Sequence, residues 1–225
     1  MKNGDLSHSA FDASHAQNYA QGTPRKVPGF DSLHKMTAQL MAERAPETAR
    51  ILVLGAGGGL EIRALAQAHP GWVFDGVDPS AEMLAAAHRT IGDSGNRVAL
   101  HQGYIDDAPE GMFDGAVCLL TLHFVAKDRR LSTLGAIKRR LVPGAPFVLA
   151  HISFPQTEPE RSQWIGRHIA FGGGDPQDEA ARAAIATKLS ILAPKEDEAM
   201  LEAAGFTDIS LFYAGLSFRG WVCYA

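Results

Sequence analysis

Two cysteines in 225 residues are too few for a disulfide framework. Cys118 and Cys223 both fall in apolar stretches that read as buried strands, and neither has metal-ligand spacing. Clustered Cys/His sets and E-x-x-H pairs are missing as well, so no metal is expected. There is no excess of positive charge. Lys and Arg number 21 against 25 Asp and Glu, a formal net charge of -4, which lacks the electrostatic footprint of a duplex DNA binder. An RNA held by local contacts stays open. No apolar run approaches the roughly 20 residues that span a bilayer, so no membrane partner is expected. The first residues, M-K-N-G-D-L-S-H-S, lack the apolar core of a signal peptide. The expectation is a soluble, cytoplasmic protein. Internal repeats and low-complexity tracts are also absent. With 46% hydrophobic residues, the length suits one globular domain, or one domain carrying a small lid.

What is present is an alternation of strands and helices. Residues 1 to 31 are polar and broken by Gly22, Pro24, Pro28 and Gly29. A helix then starts behind Asp31 or Ser32, either a good N-cap, and Pro46 ends it. R-I-L-V-L, 50 to 54, is apolar on both faces, as a central parallel strand requires. A helix is expected over 59 to 68, a strand over 72 to 78, a helix from the Ser80 cap to about Ile91, and a strand over 97 to 102. A fourth strand covers 113 to 120. The helix over 128 to 141 should turn Leu131, Leu134, Ile137 and Leu141 to the core, and a fifth strand covers 145 to 152. This order implies a parallel sheet with helices on both faces. The last third differs, with helices expected over 158 to 171, 176 to 191 and from about Lys195 to Gly205. Two strands close the chain, 207 to 213 and 217 to 224, and the short link between them forces an antiparallel hairpin.

The densest signal is L-G-A-G-G-G-L-E, where the first strand runs into Gly55, Gly57, Gly58 and Gly59. Ligands of open α/β sheets bind at the carboxyl ends of strands, where the strand order reverses. Bare main chain and a following helix N-terminus suit a phosphate or a carboxylate there. A tight turn that lets the helix pack on the sheet is the plainer reading. The dinucleotide fingerprint G-x-G-x-x-G/A fails at Leu60, whereas G-x-G-x-G succeeds with Gly55, Gly57 and Gly59. Asp78 ends the second strand, where a carboxylate can accept both hydroxyls of a ribose or cap the next helix; the two roles are compatible.

These stretches, together with G-V-D-P-S-A-E-M-L, M-F-D-G-A-V-C-L-L-T-L-H-F-V and the strand after L-V-P-G-A-P, resemble the class I S-adenosylmethionine-dependent methyltransferases. The resemblance covers roughly residues 11 to 225. It implies a Rossmann-like α/β sheet of parallel strands closed by the C-terminal antiparallel hairpin, with S-adenosyl-L-methionine as cofactor and a small-molecule substrate. It also implies a division of labour. Gly55, Ala56 and Gly57 would face the methionine part, and Asp78, with Pro79 and Met83 nearby, would take the ribose. Tyr104 and Ile105 would flank adenine, and Leu119 or Leu120 would lie under the cofactor. Val53 stands where many members carry an acid, and Gly103-Tyr104 where many carry Gly-Asp; Tyr104 would then stack on adenine and Asp106 take its polar contact. A closer resemblance, through F-D-A-S-H-A-Q-N-Y, R-K-V-P-G-F, T-L-H-F and M-L-E-A-A-G-F, is to the carboxy-S-adenosylmethionine synthases of tRNA wobble-uridine modification. There Arg182 falls at a carboxylate-binding arginine, while Phe30 and Leu119 depart from the pattern.

The remaining candidates come with two readings each. His123 follows the fourth strand and is either a general base or a helix-start histidine bound to backbone; His151 is a second choice. Arg25 either pairs with the methionine carboxylate or is solvated. Arg182 is either a carboxylate ligand or part of a solvated helix face. Residues 1 to 31 are expected to cover the cofactor site, and 32 to 225 to form the single methyltransferase domain. An insertion at about 153 to 195 would hold the substrate through Trp164, His168 and Phe171 as a lid, or serve as a homodimer contact. Three functions follow: a methyltransferase for a small molecule, a carboxy-S-adenosylmethionine synthase-like enzyme, and a cofactor-binding module without catalysis. A nicotinamide dehydrogenase is disfavoured by Leu60 and the hairpin.

Overall fold

The computed structural model describes residues 22–225, so F-D-A-S-H-A-Q-N-Y and the rest of 1–21 lie outside the described residues. Residues 22–26 are helical, an element the prolines and glycines of this stretch had hidden, and Val27-Pro28-Gly29 leads into α1, Phe30–Ala42. The order is then β1 Arg50–Leu54, α2 Leu60–Ala68, β2 Val73–Asp78, α3 Ala81–Ile91, β3 Val98–Gln102, β4 Gly115–Leu119, α4 Lys127–Lys138 and β5 Pro146–Ile152. It continues through α5 Glu160–Phe171, α6 Glu179–Lys188, α7 Pro194–Ala203, β6 Thr207–Gly215 and β7 Phe218–Tyr224.

One seven-stranded sheet runs β3-β2-β1-β4-β5-β7-β6. The first five strands are parallel; β7 joins β5 antiparallel, and β6 pairs antiparallel with β7 at the edge. This is the expected Rossmann-like α/β sheet with its closing hairpin. The side chains of β1 alternate between two cores: Ile51 and Val53 face α1, α2 and α3, and Leu52 and Leu54 face α4 and α7. Both cysteines are buried and unpaired, and burial pushes the Cys118 thiol up to about 12. The hairpin turn is tighter than expected. Strand β6 runs on to Gly215, so only Leu216 and Ser217 connect the strands, with Leu216 at φ 54°. Because Ile152 at the end of β5 pairs with Phe218, this turn lies at the same sheet edge as the carboxyl ends of the parallel strands.

One helix face was misread. Leu131 is 45% exposed, and Arg130 beside it is 1% exposed. The core stripe of α4 is therefore Arg130, Leu134 and Ile137, at i, i+4 and i+7. Partners distant in sequence explain the exchange. Arg130 Nη1 donates to Asp197 Oδ1 of α7 at 3.0 Å, and Nη2 donates to the Ser190 carbonyl. His151 of β5 lies 3.1 Å from the same carboxylate oxygen, off line for a hydrogen bond. A buried pair of this kind adds little net stability over an apolar pair, but removing one partner strands a charge. Asp197→Ala is expected to cost about 3–5 kcal/mol in urea unfolding, with the double change Arg130→Met, Asp197→Leu recovering most of it. A loss below about 1 kcal/mol for the single change would show that the guanidinium is not trapped.

Candidate functional site

The strand order reverses between β1 and β4, so the chain leaves their carboxyl ends in opposite directions and opens a crevice. The loop after β1 is fastened to the tip of β2. Gly55 N and Ala56 N both donate to the Val77 carbonyl, and Gly57 N donates to Asp78 Oδ2 at 3.0 Å. The other carboxylate oxygen, Oδ1, accepts Ser80 N at 2.9 Å, and Ser80 Oγ caps α3 by accepting Met83 N at 3.2 Å. The carboxylate of Asp78 thus joins the loop to a helix start, while each oxygen keeps lone-pair capacity for another donor. Burial raises its pKa, and the N–H groups of Ser80 and Gly57 act against that rise.

The glycines serve the protein's own packing first. A Cβ at Gly57 would stand 2.7 Å from Asp78 Oδ2 and 2.8 Å from Met83 Cβ. At Gly55, with φ 80°, it would overlap the side chain of Thr121. The turn thus packs closely against the end of β2, the start of α3 and Thr121 after β4.

Across the crevice, Leu119 is buried at the end of β4, and Leu120 adopts φ 57° with its N–H on the Ala150 carbonyl at 2.6 Å. A left-handed leucine costs on the order of 1 kcal/mol and marks a turn held by its surroundings. Thr121 Oγ1 donates to Leu119 O at 2.9 Å, which places its side chain against Gly55. Beyond β2, Pro79 O accepts Gln102 Nε2 at 3.3 Å. After β3, Tyr104 is 44% exposed and Ile105 is buried. Asp107 turns back to accept Tyr104 N at 2.8 Å, and Asp106 is exposed.

His123 is buried beyond β4. Its Nδ1 faces Ile152 N at 3.4 Å, and its carbonyl accepts Ser190 N at 2.8 Å. Burial, and then the positive potential of His151 and Arg130, hold its pKa well below the ordinary value. The ring is neutral, with its proton on Nε2 if Nδ1 accepts. On α5, His168 Nδ1 meets Ser217 Oγ at 2.7 Å, and the Trp164 ring stacks on Phe154 at 6.3 Å. Both sit beside the hairpin turn, at the sheet edge that carries the crevice. Tyr213 Oη donates to Pro28 O at 2.5 Å, tying the V-P-G segment to the same edge. Arg25 is exposed. Arg182 stands apart, donating to Ser162 O and Pro176 O at 2.9 Å each. It lines a cleft of about 410 Å³ with Ser162, Gln163, Gly166 and Arg167. A second cleft of about 340 Å³ lies at the opposite sheet edge around His69 and Gly71; neither cleft touches the glycine loop.

Gly55, Ala56, Gly57, Asp78, Pro79, Met83, Tyr104, Ile105 and Leu119 thus lie at or just beyond the carboxyl ends of β1 to β4; His123, Trp164 and His168 lie toward β5 and the hairpin. Reading the residues alone missed Thr121, Asp107 and above all Glu61. Glu61 sits in the first turn of α2, directly after the glycines, and is 4% exposed. Burial pushes its carboxyl up to about 8, and the charge of Asp78 adds to the rise. Its position after the loop was visible; its burial depended on the surrounding strands.

A methyltransferase domain model matches residues 52–147, from β1 through the start of β5. These residues are similar to a methyltransferase domain, and the chain as a whole is similar to S-adenosylmethionine-dependent methyltransferases. Curated relatives of the chain include the carboxy-S-adenosyl-L-methionine synthase of Campylobacter lari, 25% identical over 95% of this chain and 93% of that one. The protein of the same name from Pseudomonas syringae pv. tomato is also 25% identical, over 95% and 91%. Among solved structures, a SAM-dependent methyltransferase from Aquifex aeolicus shares the fold at TM-score 0.66 and 16% identity, over 95% of this chain and 98% of that chain. Human N-acetylserotonin methyltransferase, solved with SAM, shares it at TM-score 0.65 and 14% identity, and this chain spans 60% of its length.

Two outcomes test the crevice. Gly57→Ala should displace Asp78, and Asp78→Asn should weaken a charge-assisted bond; each is expected to lower cofactor affinity about 10- to 100-fold by calorimetry, with the fold kept by circular dichroism. Unchanged affinity in both would move the site elsewhere. Glu61 gives a pH signature. Its folded pKa of about 8 lies above the ordinary 4.5, so the folded state holds the proton longer than the unfolded state does. Stability should therefore be greatest below 4.5 and fall as pH rises toward 8, and Glu61→Gln should flatten that slope in urea titrations. Equal slopes would contradict the buried acid.

Proposed function

We propose that this protein transfers the methyl group of S-adenosylmethionine to a small-molecule acceptor entering on the β5 side of the crevice. The observation that carries the reading is the 3.0 Å bond from Gly57 N to Asp78 Oδ2, which joins the loop assigned to the methionine part to the acid assigned to the ribose. The residues fit a cationic nucleoside: Asp78 keeps acceptor capacity, and Glu61 is a second carboxyl with no ion-pair partner among the described residues. When bound, the cofactor supplies a methyl group already activated on sulfonium, so the protein's task is alignment and exclusion of water. Asp78 would orient the ribose, Tyr104 and Ile105 would flank the base, and Leu119 would give an apolar floor. With Nδ1 accepting from Ile152 N, the neutral His123 ring carries its proton on Nε2, which suits donating a hydrogen bond to an acceptor molecule; service as a base would require the other tautomer and loss of the Ile152 contact. Trp164 and His168 would shape the acceptor's side.

A second reading, production of a carboxylated cofactor, is favoured by the curated relatives, whose alignment runs over 95% of this chain. In this structure the Arg182 guanidinium is engaged by two carbonyls between α5 and α6, so holding a carboxylate would require it to exchange those partners or to serve a neighbouring copy.

Thermal-shift titration with S-adenosylhomocysteine should raise the melting temperature by mass action while NAD leaves it unchanged; the reverse would overturn the cofactor. Incubation with S-adenosylmethionine and prephenate, followed by mass spectrometry, separates the two readings. The first predicts a cofactor of unchanged mass, and an added carboxylate would establish the second.

A further inference from the structure

Glu61 has no counterpart in the roles assigned above. It is 4% exposed, at the second position of α2, two residues beyond the last glycine of the loop. The charged and titratable groups acting on it are Asp78 from the tip of β2 and Cys118 from β4. Neither is a cation, and no Lys, Arg or His among the described residues pairs with it. Among the described residues, its own backbone N–H is the hydrogen-bond donor that favours its charged form.

A buried acid whose carboxyl is disfavoured as a charge by burial first and by the nearby Asp78 charge as well is an unfavourable arrangement in an empty site. A leucine or glutamine would fill the same volume without that conflict. The conflict disappears if a positive charge enters the crevice. Asp78 is assigned to the ribose hydroxyls, which take the acceptor capacity left beside the N–H groups of Gly57 and Ser80. Glu61 is the carboxyl left over, and it adjoins the loop assigned to the methionine part, where both positive centres of the cofactor lie.

We infer that Glu61 is a specificity-determining residue for the cofactor: its carboxylate receives the positively charged amino-acid end of S-adenosylmethionine, and its proton is released to solvent when that charge arrives. The inference rests on the cofactor reading above. The free protein holds a neutral Glu61 at pH 7. Binding converts it to carboxylate paired with the ligand cation, and one proton passes to the buffer. Affinity should rise by up to about tenfold per pH unit as pH climbs toward 8, and fall above it as the ligand's own ammonium, with a pKa of about 7.7–8.0, loses its proton. Ligands lacking the amino-acid end should show no such dependence.

Calorimetry of the full chain at pH 7, in two buffers of different ionisation enthalpy, counts the protons released. At that pH the cofactor's own amino group already carries its proton. S-adenosylmethionine is expected to release close to one proton from wild type and close to none from Glu61→Gln. 5′-Methylthioadenosine, which lacks the amino-acid end and its charges, should release none from either, and its equal affinity for both would show the variant folded. Equal release by wild type and variant, or release with 5′-methylthioadenosine matching that with S-adenosylmethionine, would overturn the inference. Should the variant fail to fold, the comparison of the two ligands on wild type still decides. Failure of wild type to bind either ligand would overturn the cofactor reading, and this inference with it.

Discussion

The carboxylate of Asp78 holds two main-chain N–H groups at once, one from the glycine loop and one from the start of α3. The rest of the crevice depends on that pair of bonds. Through Gly57 the loop after β1 is drawn against the tip of β2, closely enough that no side chain fits at position 57. Through Ser80 the same carboxylate sets the entry to α3, whose Met83 closes the other side of the loop. An acid placed there is costly to bury, and its raised pKa reports that cost. What offsets the cost is fixed N–H donation, which also leaves the remaining lone pairs aimed by main chain instead of by a mobile side chain.

The protein surrounds that hinge with unpaired electrostatics of opposite kinds. On the α2 side, Glu61 and Asp78 are two buried acids with no ion-pair partner among the described residues. On the β5 side, Arg130 and Asp197 are matched, and burial disfavours charge on His123 and His168. The crevice is therefore polarised. Its glycine end suits a positive ligand group, and its β5 end offers neutral imidazoles and aromatic rings to a small acceptor. The N-terminal segment, α5 and the hairpin turn meet at that second end, through Tyr213 with Pro28 and His168 with Ser217.

Much of this was readable in the chain. The five parallel strands and the closing hairpin followed from apolar runs, glycines and prolines, because those signals are local. The G-x-G-x-G loop and Asp78 were readable for the same reason: each sits at a strand end that the pattern locates. What stayed hidden depended on distant partners. Leu131 looked like core on helical spacing, yet Arg130 occupies that place because Asp197, 67 residues away, meets it. Glu61 looked like an ordinary first-turn acid, and only the packed strands around it show it to be buried. Thr121 gave no sign of its contact with Gly55, since that contact exists only once β1 and β4 lie side by side.

The most direct measurement is a crystal structure of the protein soaked with S-adenosylhomocysteine. The account predicts a ribose whose two hydroxyls donate to Asp78, an amino-acid tail along residues 55–57 and adenine beside Tyr104 and Ile105. A nucleoside found instead in the α5–α6 cleft beside Arg182, or an Asp78 carboxylate that touches only its own backbone donors, would contradict it.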